Sequence, residues 1–232
     1  MKRGKKYKGA LELLEEGKLY SLSEAVALAK KTSTTKFDGS LEIHLNLGID
    51  PKQADQQLRK TVSLPHGTGK QLRVIVFCGD EKVKEAEESG AVEAGNEDLV
   101  AKIAGGWMDF DKVVATPDVM KSLGKIAKTL GQKGLMPNPK AGTVTTEIAQ
   151  VVKDLQGGMV EFRNDKQGNL HNIVGKVSFT EAQLEENLRT YLKAITDAKP
   201  SGIKGTYIKS LTLATSMGPG IKLEINETIK SL

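Results

Sequence analysis

The seven residues LRVIVFC, Leu72 to Cys78, carry one polar side chain, Arg73. A strand this apolar has no side to offer to water, so it must be covered on both faces. A parallel sheet layered between helices meets that need. The flanking sequence has the matching rhythm. A charged helix, DEKVKEAEESGA, follows, then a short strand at VEAG, a helix from Asn96, a strand at KVVATP and a helix from Asp118. A polar loop, GQKGLMPNPKAGTV, leads to a last helix from Thr146 to Leu155. Strand and helix alternate throughout, which predicts a small parallel α/β block with helices on both faces.

The two ends of the chain follow a different period. In KFDGSLEIHLNLGID, Leu41, Ile43, Leu45 and Leu47 alternate with Glu42, His44 and Asn46, the mark of a half-buried strand with one polar face. Ahead of it, Ser21 and Glu24 stand at capping-box spacing, and Leu22, Ala25, Val26 and Ala29 share one helical face. Asp50 is expected to cap a short helix that begins at Pro51, and TVSLP reads as a second strand. Beyond LQGGM, MVEFRNDKQGNLHNIVGKVSF reads as two strands around the turn NDKQGN. Thr180 and Gln183 form another capping-box pair, and Leu184, Leu188, Leu192 and Ile195 make one stripe. KPSGIKGT is a loop, and a last strand pair encloses SMGPG.

Two hairpin-and-helix segments therefore flank one α/β block. Each flank has about 70 residues, a size at which an independent core is marginal. The economical arrangement is a discontinuous α+β domain with an antiparallel sheet, residues 1–67 and 159–232, with an α/β domain inserted at 68–158.

Composition narrows the function. The chain of 232 residues has 34 basic and 29 acidic side chains and a net charge of +5, which permits a polyanionic partner without requiring one. Aromatic residues are 4% of the chain, too few for a base-stacking platform to lead. The single cysteine, Cys78, forbids an internal disulfide and fits a reducing, cytoplasmic setting. No apolar run reaches the length of a membrane span. The basic start MKRGKKYKGA is followed by no apolar core of a signal peptide, and reads as a frayed tail or a polyanion-touching arm. The turn after LRVIVFC is GDEKVK, whose acids would repel a pyrophosphate, and GTGK at Gly67 precedes the strand instead of following it. No nucleotide cofactor is expected. His44, His66 and His171 lie far apart with no ligand spacing, so no metal is expected either. No nucleophile elbow is present, and nothing points to catalysis or a small-molecule substrate.

Three stretches instead suit a surface for RNA: TTKFDGS, with Lys36 and Phe37; RNDKQGNLH, Arg163 to His171; and TSMGPG, Thr215 to Gly220. Each sets short hydrogen-bonding side chains beside glycine, and Ser, Thr, Asn and His can serve phosphate or ribose hydroxyls. Phe37 and Met217 are apolar tips suited to covering a base or sugar. A rival lies in the central block, where GQKG, Gly131 to Gly134, is similar to the GxxG clamp of KH domains.

The strings KFDGSLEIHLNLGIDP, TVSLPHGTGK, GWMDFDKVVATPDVM, KGLMPNPKAGTV, EFRNDKQG and SMGPG, in this order along nearly the whole chain, resemble the bacterial ribosomal protein L-one family of the large-subunit lateral stalk. The resemblance implies a terminal-segment domain carrying a Rossmann-like insert. It implies direct binding to large-subunit ribosomal RNA at the mobile stalk, a part in releasing deacylated tRNA from the exit site, and repression of the protein's own operon through its mRNA. Carried onto matching positions, it implies RNA contacts at Lys36, Phe37 and Ser40, at Asp165, Lys166 and His171, and at Ser216, Met217 and Gly218. The family usually has Thr where this chain has Ser216, so a hydroxyl is kept and a methyl lost. On this reading Gly218 and Pro219 set a close-approach turn, and Met217 shields the hydrogen bonds made there.

Overall fold

A computed structural model of the protein describes residues 4–203 and 205–230. In chain order its elements are α1 (Lys5–Leu11), α2 (Leu22–Lys31), β1 (Ser40–Leu47), β2 (Arg59–Ser63), β3 (Val74–Phe77), α3 (Val83–Glu88), β4 (Glu93–Gly95) and α4 (Glu97–Ala104). There follow β5 (Lys112–Ala115), α5 (Ala127–Gln132), α6 (Ile148–Gly157), β6 (Met159–Arg163) and β7 (Asn169–Lys176). The last are α7 (Glu181–Asp197), β8 (Ile208–Thr215), β9 (Gly220–Lys222) and α8 (Ile225–Lys230). The fold is mixed α/β. It divides into two compact units, Met1–Gly69 with Val160–Leu232, and Lys70–Met159.

In the Lys70–Met159 unit, β4, β3 and β5 form a parallel sheet with β3 in the middle. All four side chains of β3 are buried. Ile75 and Phe77 join one core with Leu99 and Ile103 of α4 and Leu130 of α5. Val74 and Val76 join another with Ala86 of α3 and Val152 and Leu155 of α6. The unbroken apolar run thus has its two sides taken by two sets of helices. Cys78 extends the second core, and burial pushes its thiol up, away from the reactive thiolate.

In the unit of the two chain ends, four strands form one antiparallel sheet in the order β7-β1-β8-β9. Its buried side carries Leu41, Ile43, Leu45 and Leu47 of β1. They share a core with Ala25, Val26 and Ala29 of α2 and Leu184, Leu188, Leu192 and Ile195 of α7. Both helices start at complete capping boxes, Ser21 with Glu24 and Thr180 with Gln183. Each box satisfies two backbone donors that a helix start otherwise leaves bare.

Some expectations are corrected. No helix begins at Pro51: Asp50 Oδ1 accepts from the Lys52 N–H at 3.1 Å, and this side-chain turn is followed by a single 3-10 turn, Ala54–Gln56. The segment from Asp118 is a 3-10 helix, Pro117–Lys125, in which Ser122 and Gly124 weaken the α preference. The helix expected from Thr146 starts at Ile148, after the Thr145 hydroxyl accepts from the Glu147 N–H. β6 and β7 are not a hairpin pair: β6 pairs with β2 in a separate two-stranded sheet, and β7 pairs with β1. The basic start is a helix, α1, from Lys5 onward, and Met1 to Arg3 lie outside the described residues.

Candidate nucleic-acid interface

Two of the three polar stretches meet at one end of β1. The Ser40 N–H donates to Ser216 Oγ at 3.1 Å, and the Ser216 N–H donates to the Ser40 carbonyl at 3.0 Å. This reciprocal pair locks the 36–40 turn to the β8–β9 turn. Ser216 Oγ accepts from Ser40, and its own O–H can still donate. Lys176 Nζ donates to Ser40 Oγ at 2.9 Å and brings an ammonium to the same spot. Cross-strand pairing alone puts Lys176 there, so the sequence carried no local signal for it.

The turn holding Phe37 is pinned on both sides. Thr35 Oγ1 donates to the Phe37 carbonyl at 2.9 Å, and Asp38 accepts from both the N–H and the hydroxyl of Ser178. The Phe37 ring is left 64% exposed, so it does not belong to the core. Lys36 is exposed beside it.

Met217 is 78% exposed and is the one non-glycine among the described residues with positive φ, at 63°. That left-handed backbone costs an L-residue roughly 1–2 kcal/mol. Gly218 is not the left-handed position. Its missing side chain makes room inward: a Cβ there would lie 2.3 Å from Thr215 Oγ1. Thr215 is buried, and this hydroxyl has no hydrogen-bond partner among the described residues. The turn is closed by the Gly218 N–H donating to the Thr215 carbonyl at 2.8 Å.

The third stretch is not at this end. The register pairs Ser40 with Lys176 but Asn46 with Asn169, so Asp165 and Lys166 lie past the far end of β1, about 20 Å away at ~3.4 Å per residue. Asp165 shapes that loop. Its Oδ1 accepts from the N–H groups of Gln167 and Asn169, and its Oδ2 from the Asn169 side chain. The Asn169 N–H leads these donors in holding the carboxyl below the usual carboxylate range. The loop presents Lys166 to solvent.

Between the two ends runs the polar face of the sheet. Glu42, His44 and Asn46 of β1 are flanked by Ile173, His171 and Asn169 of β7 and by Ala214, Thr212 and Ser210 of β8. The histidines, far apart in sequence, are cross-strand partners here, with their Nδ1 atoms 2.9 Å apart. Glu42 lies 3.7 Å from His44 and Asp165 lies 3.8 Å from His171. A period-two reading shows which residues share a face but not which strand lies alongside, and so it missed this pair. The third histidine, His66, pairs separately with Glu186.

Burial first, then the neighbouring His171, pushes His44 below the ordinary 6.5, against the opposing pull of Glu42. The folded state thus binds a proton at His44 less readily than the unfolded chain does. The stability this contributes is present above the unfolded value and is lost as pH falls through the folded one. Thermal melts should show the wild type losing stability from about pH 6.5 downward, and His44→Gln should flatten that fall. An unchanged slope in the variant would remove His44 from the account.

The surface therefore offers hydroxyls, amides, an imidazole pair, lysines and two apolar tips, on a frame held by its own hydrogen bonds. The Ribosomal protein L1p/L10e family profile matches residues 29–219. The large ribosomal subunit protein uL1 of Nocardia farcinica (strain IFM 10152) is 54% identical over 227 residues, covering 98% of this chain and 96% of that protein. The chain belongs to the ribosomal protein L1p/L10e family, whose members are structural and not enzymatic.

Proposed function

We propose that the protein is a structural constituent of the large subunit of the cytoplasmic ribosome, and that it binds large-subunit ribosomal RNA directly at the mobile stalk. Residues 1–67 and 159–232 act as the RNA-binding domain, discontinuous around a Rossmann-like insert, 68–158. The division of the chain at Gly69/Lys70 and Met159/Val160 supports that arrangement. The observation that carries the reading is the Ser40–Ser216 junction, beside which Lys36, Phe37 and Met217 stand exposed. Such a preformed site adds little ordering cost when a ribose-phosphate chain docks. Ser40, Ser216 and Met217 touch the RNA at this end of the sheet. Lys166 and His171 extend the contact along the polar face, while Asp165 and Gly218 hold their loops in shape.

By the same face the protein binds a similar structure in its own operon's mRNA and represses translation, and on the ribosome it takes part in releasing deacylated tRNA from the exit site. The two RNAs then compete for one surface. Ser216→Ala in the full chain should weaken filter binding to a transcript of the stalk RNA and to the operon leader by a similar factor, about threefold to tenfold for one lost hydrogen bond. A loss confined to one RNA would show two separate surfaces. Wild-type affinity for both would remove the Ser216 hydroxyl from the interface.

A further inference from the structure

The chain has six methionines and one cysteine, and the fold treats their sulfurs unequally. Cys78 is fully buried, with its thiol shifted away from the reactive thiolate. Met108, Met120 and Met136 are partly buried against the core that holds Phe77 and Leu130. Met159 is partly buried against the core that holds Val74 and Val76. Met217 is the one exposed methionine among the described residues, at 78%. An oxidant arriving from solvent therefore meets the Met217 thioether before any other sulfur of these residues.

The turn keeps that side chain outside. Its backbone is left-handed at Met217, with φ at 63°, and the Gly218 N–H closes the turn on the Thr215 carbonyl at 2.8 Å. The paired Ser40–Ser216 hydrogen bonds then tie the turn to the neighbouring one. None of these bonds uses the Met217 side chain, so a chemical change at its sulfur leaves the frame standing. The same change does alter what the turn offers a ligand. A thioether is apolar and adaptable, whereas a sulfoxide is polar, chiral and hydrated. The sulfoxide oxygen is an acceptor only, and phosphate oxygens give it no proton.

We infer that Met217 is a modification site, oxidised to methionine sulfoxide by peroxide-class oxidants, and that the modified turn releases RNA. A sulfur lone pair attacks one peroxide oxygen, the S–O bond forms and the O–O bond breaks. Sulfur loses two electrons, and hydrogen peroxide is reduced to water. Two thiols, delivered through the methionine sulfoxide reductases, reverse the step: they become a disulfide, and the sulfoxide oxygen leaves as water. The cover that keeps water from the RNA contact also keeps out peroxide, so the free protein is the form that is modified. This inference rests on the RNA-binding reading above, and the test separates the two.

Full-length wild type and Met217→Leu would be treated with hydrogen peroxide, both free and in complex with the stalk transcript. Mass spectrometry would map the oxidised residues, followed by filter binding and thermal melts. In the free wild type, Met217 should be oxidised ahead of Met108, Met120, Met136 and Met159. The melting temperature should hold while affinity falls about fivefold to thirtyfold, as expected when a shielded hydrogen bond is opened to water. The two reductases, one for each sulfoxide epimer, should restore binding together. Met217→Leu has no sulfur there and should keep its affinity through the treatment. In the complex, oxidation at Met217 should slow. A fully oxidised Met217 that binds as well as the untreated protein would overturn the inference, and so would an equal loss in treated Met217→Leu or an unchanged oxidation rate in the complex. In each of these cases the RNA-binding reading stands. If the untreated wild type fails to bind the transcript, both readings fall.

Discussion

Met217→Asp should bind the stalk RNA about 30- to 150-fold more weakly than the wild type, a loss of roughly 2–3 kcal/mol. Met217 stands 78% exposed above the Ser40–Ser216 junction, where its apolar side chain can keep water from hydrogen bonds made to RNA. A hydrogen bond that competes with water contributes about 0.5–1.5 kcal/mol net, whereas stranding a buried partner costs about 1–3 kcal/mol. An aspartate admits water and also sets a negative charge against phosphate. The substitution cannot be dismissed as an unfolded variant, because Asp accepts the left-handed backbone at this position more readily than Met does. Stability should hold or rise while affinity falls. Met217→Leu should bind within about threefold of wild type, since apolar cover is retained. Lys8→Ala, an exposed lysine on α1, should cost no more than about 1 kcal/mol. Equal, small losses for Met217→Asp and Lys8→Ala would remove the shielding role.

The second large effect concerns the frame that holds the polar face. Asn187 lies on α7 among the apolar side chains of its stripe and is fully buried. Its Nδ2 donates to the Gly67 and Val174 carbonyls, at 2.9 and 2.8 Å, and its Oδ1 accepts from the His66 N–H at 3.0 Å. One side chain thus ties the 66–67 loop and β7 to the helix beneath them. Asn187→Leu keeps the branched outline of the side chain but is bulkier, and it strands the buried Val174 carbonyl together with the part-buried His66 N–H and Gly67 carbonyl. At about 1–3 kcal/mol for each stranded group, partly relieved by relaxation, the expected loss is about 3–5 kcal/mol. Amide exchange in α7 should accelerate accordingly. Lys193→Ala, on the exposed side of the same helix, should stay within about 0.5 kcal/mol. If Asn187→Leu matched that control, the amide would not be a tie.

The elements that were legible in the sequence are those set by local chemistry. Capping boxes at Ser21 and Thr180 place two helix starts, and the alternation of Leu41 to Leu47 marks a half-buried strand. The unbroken run at Val74–Phe77 calls for helices on two sides, and two cores are there. Partnership between distant segments was not legible. MVEFR and NLHNIVGK look like two arms of a hairpin because only a turn separates them, but long-range pairing sends them to different sheets. The same pairing creates the His44–His171 contact and delivers Lys176 to Ser40, and no sequence spacing encodes either. Asn187 did leave a trace: it stands three residues after Leu184, on the apolar stripe, where a polar side chain needs buried partners. For Met217, composition raised a question, and the backbone adds what composition did not carry. The methionine takes the left-handed position, and the glycine beside it clears space for Thr215.

Ultraviolet crosslinking of the full chain to the stalk transcript, read by mass spectrometry, shows which residues lie against the RNA. Adducts are expected at Phe37, Lys166, His171 and Met217. Adducts confined to residues 70–159, with both chain ends unmodified, would contradict the proposed RNA-binding surface.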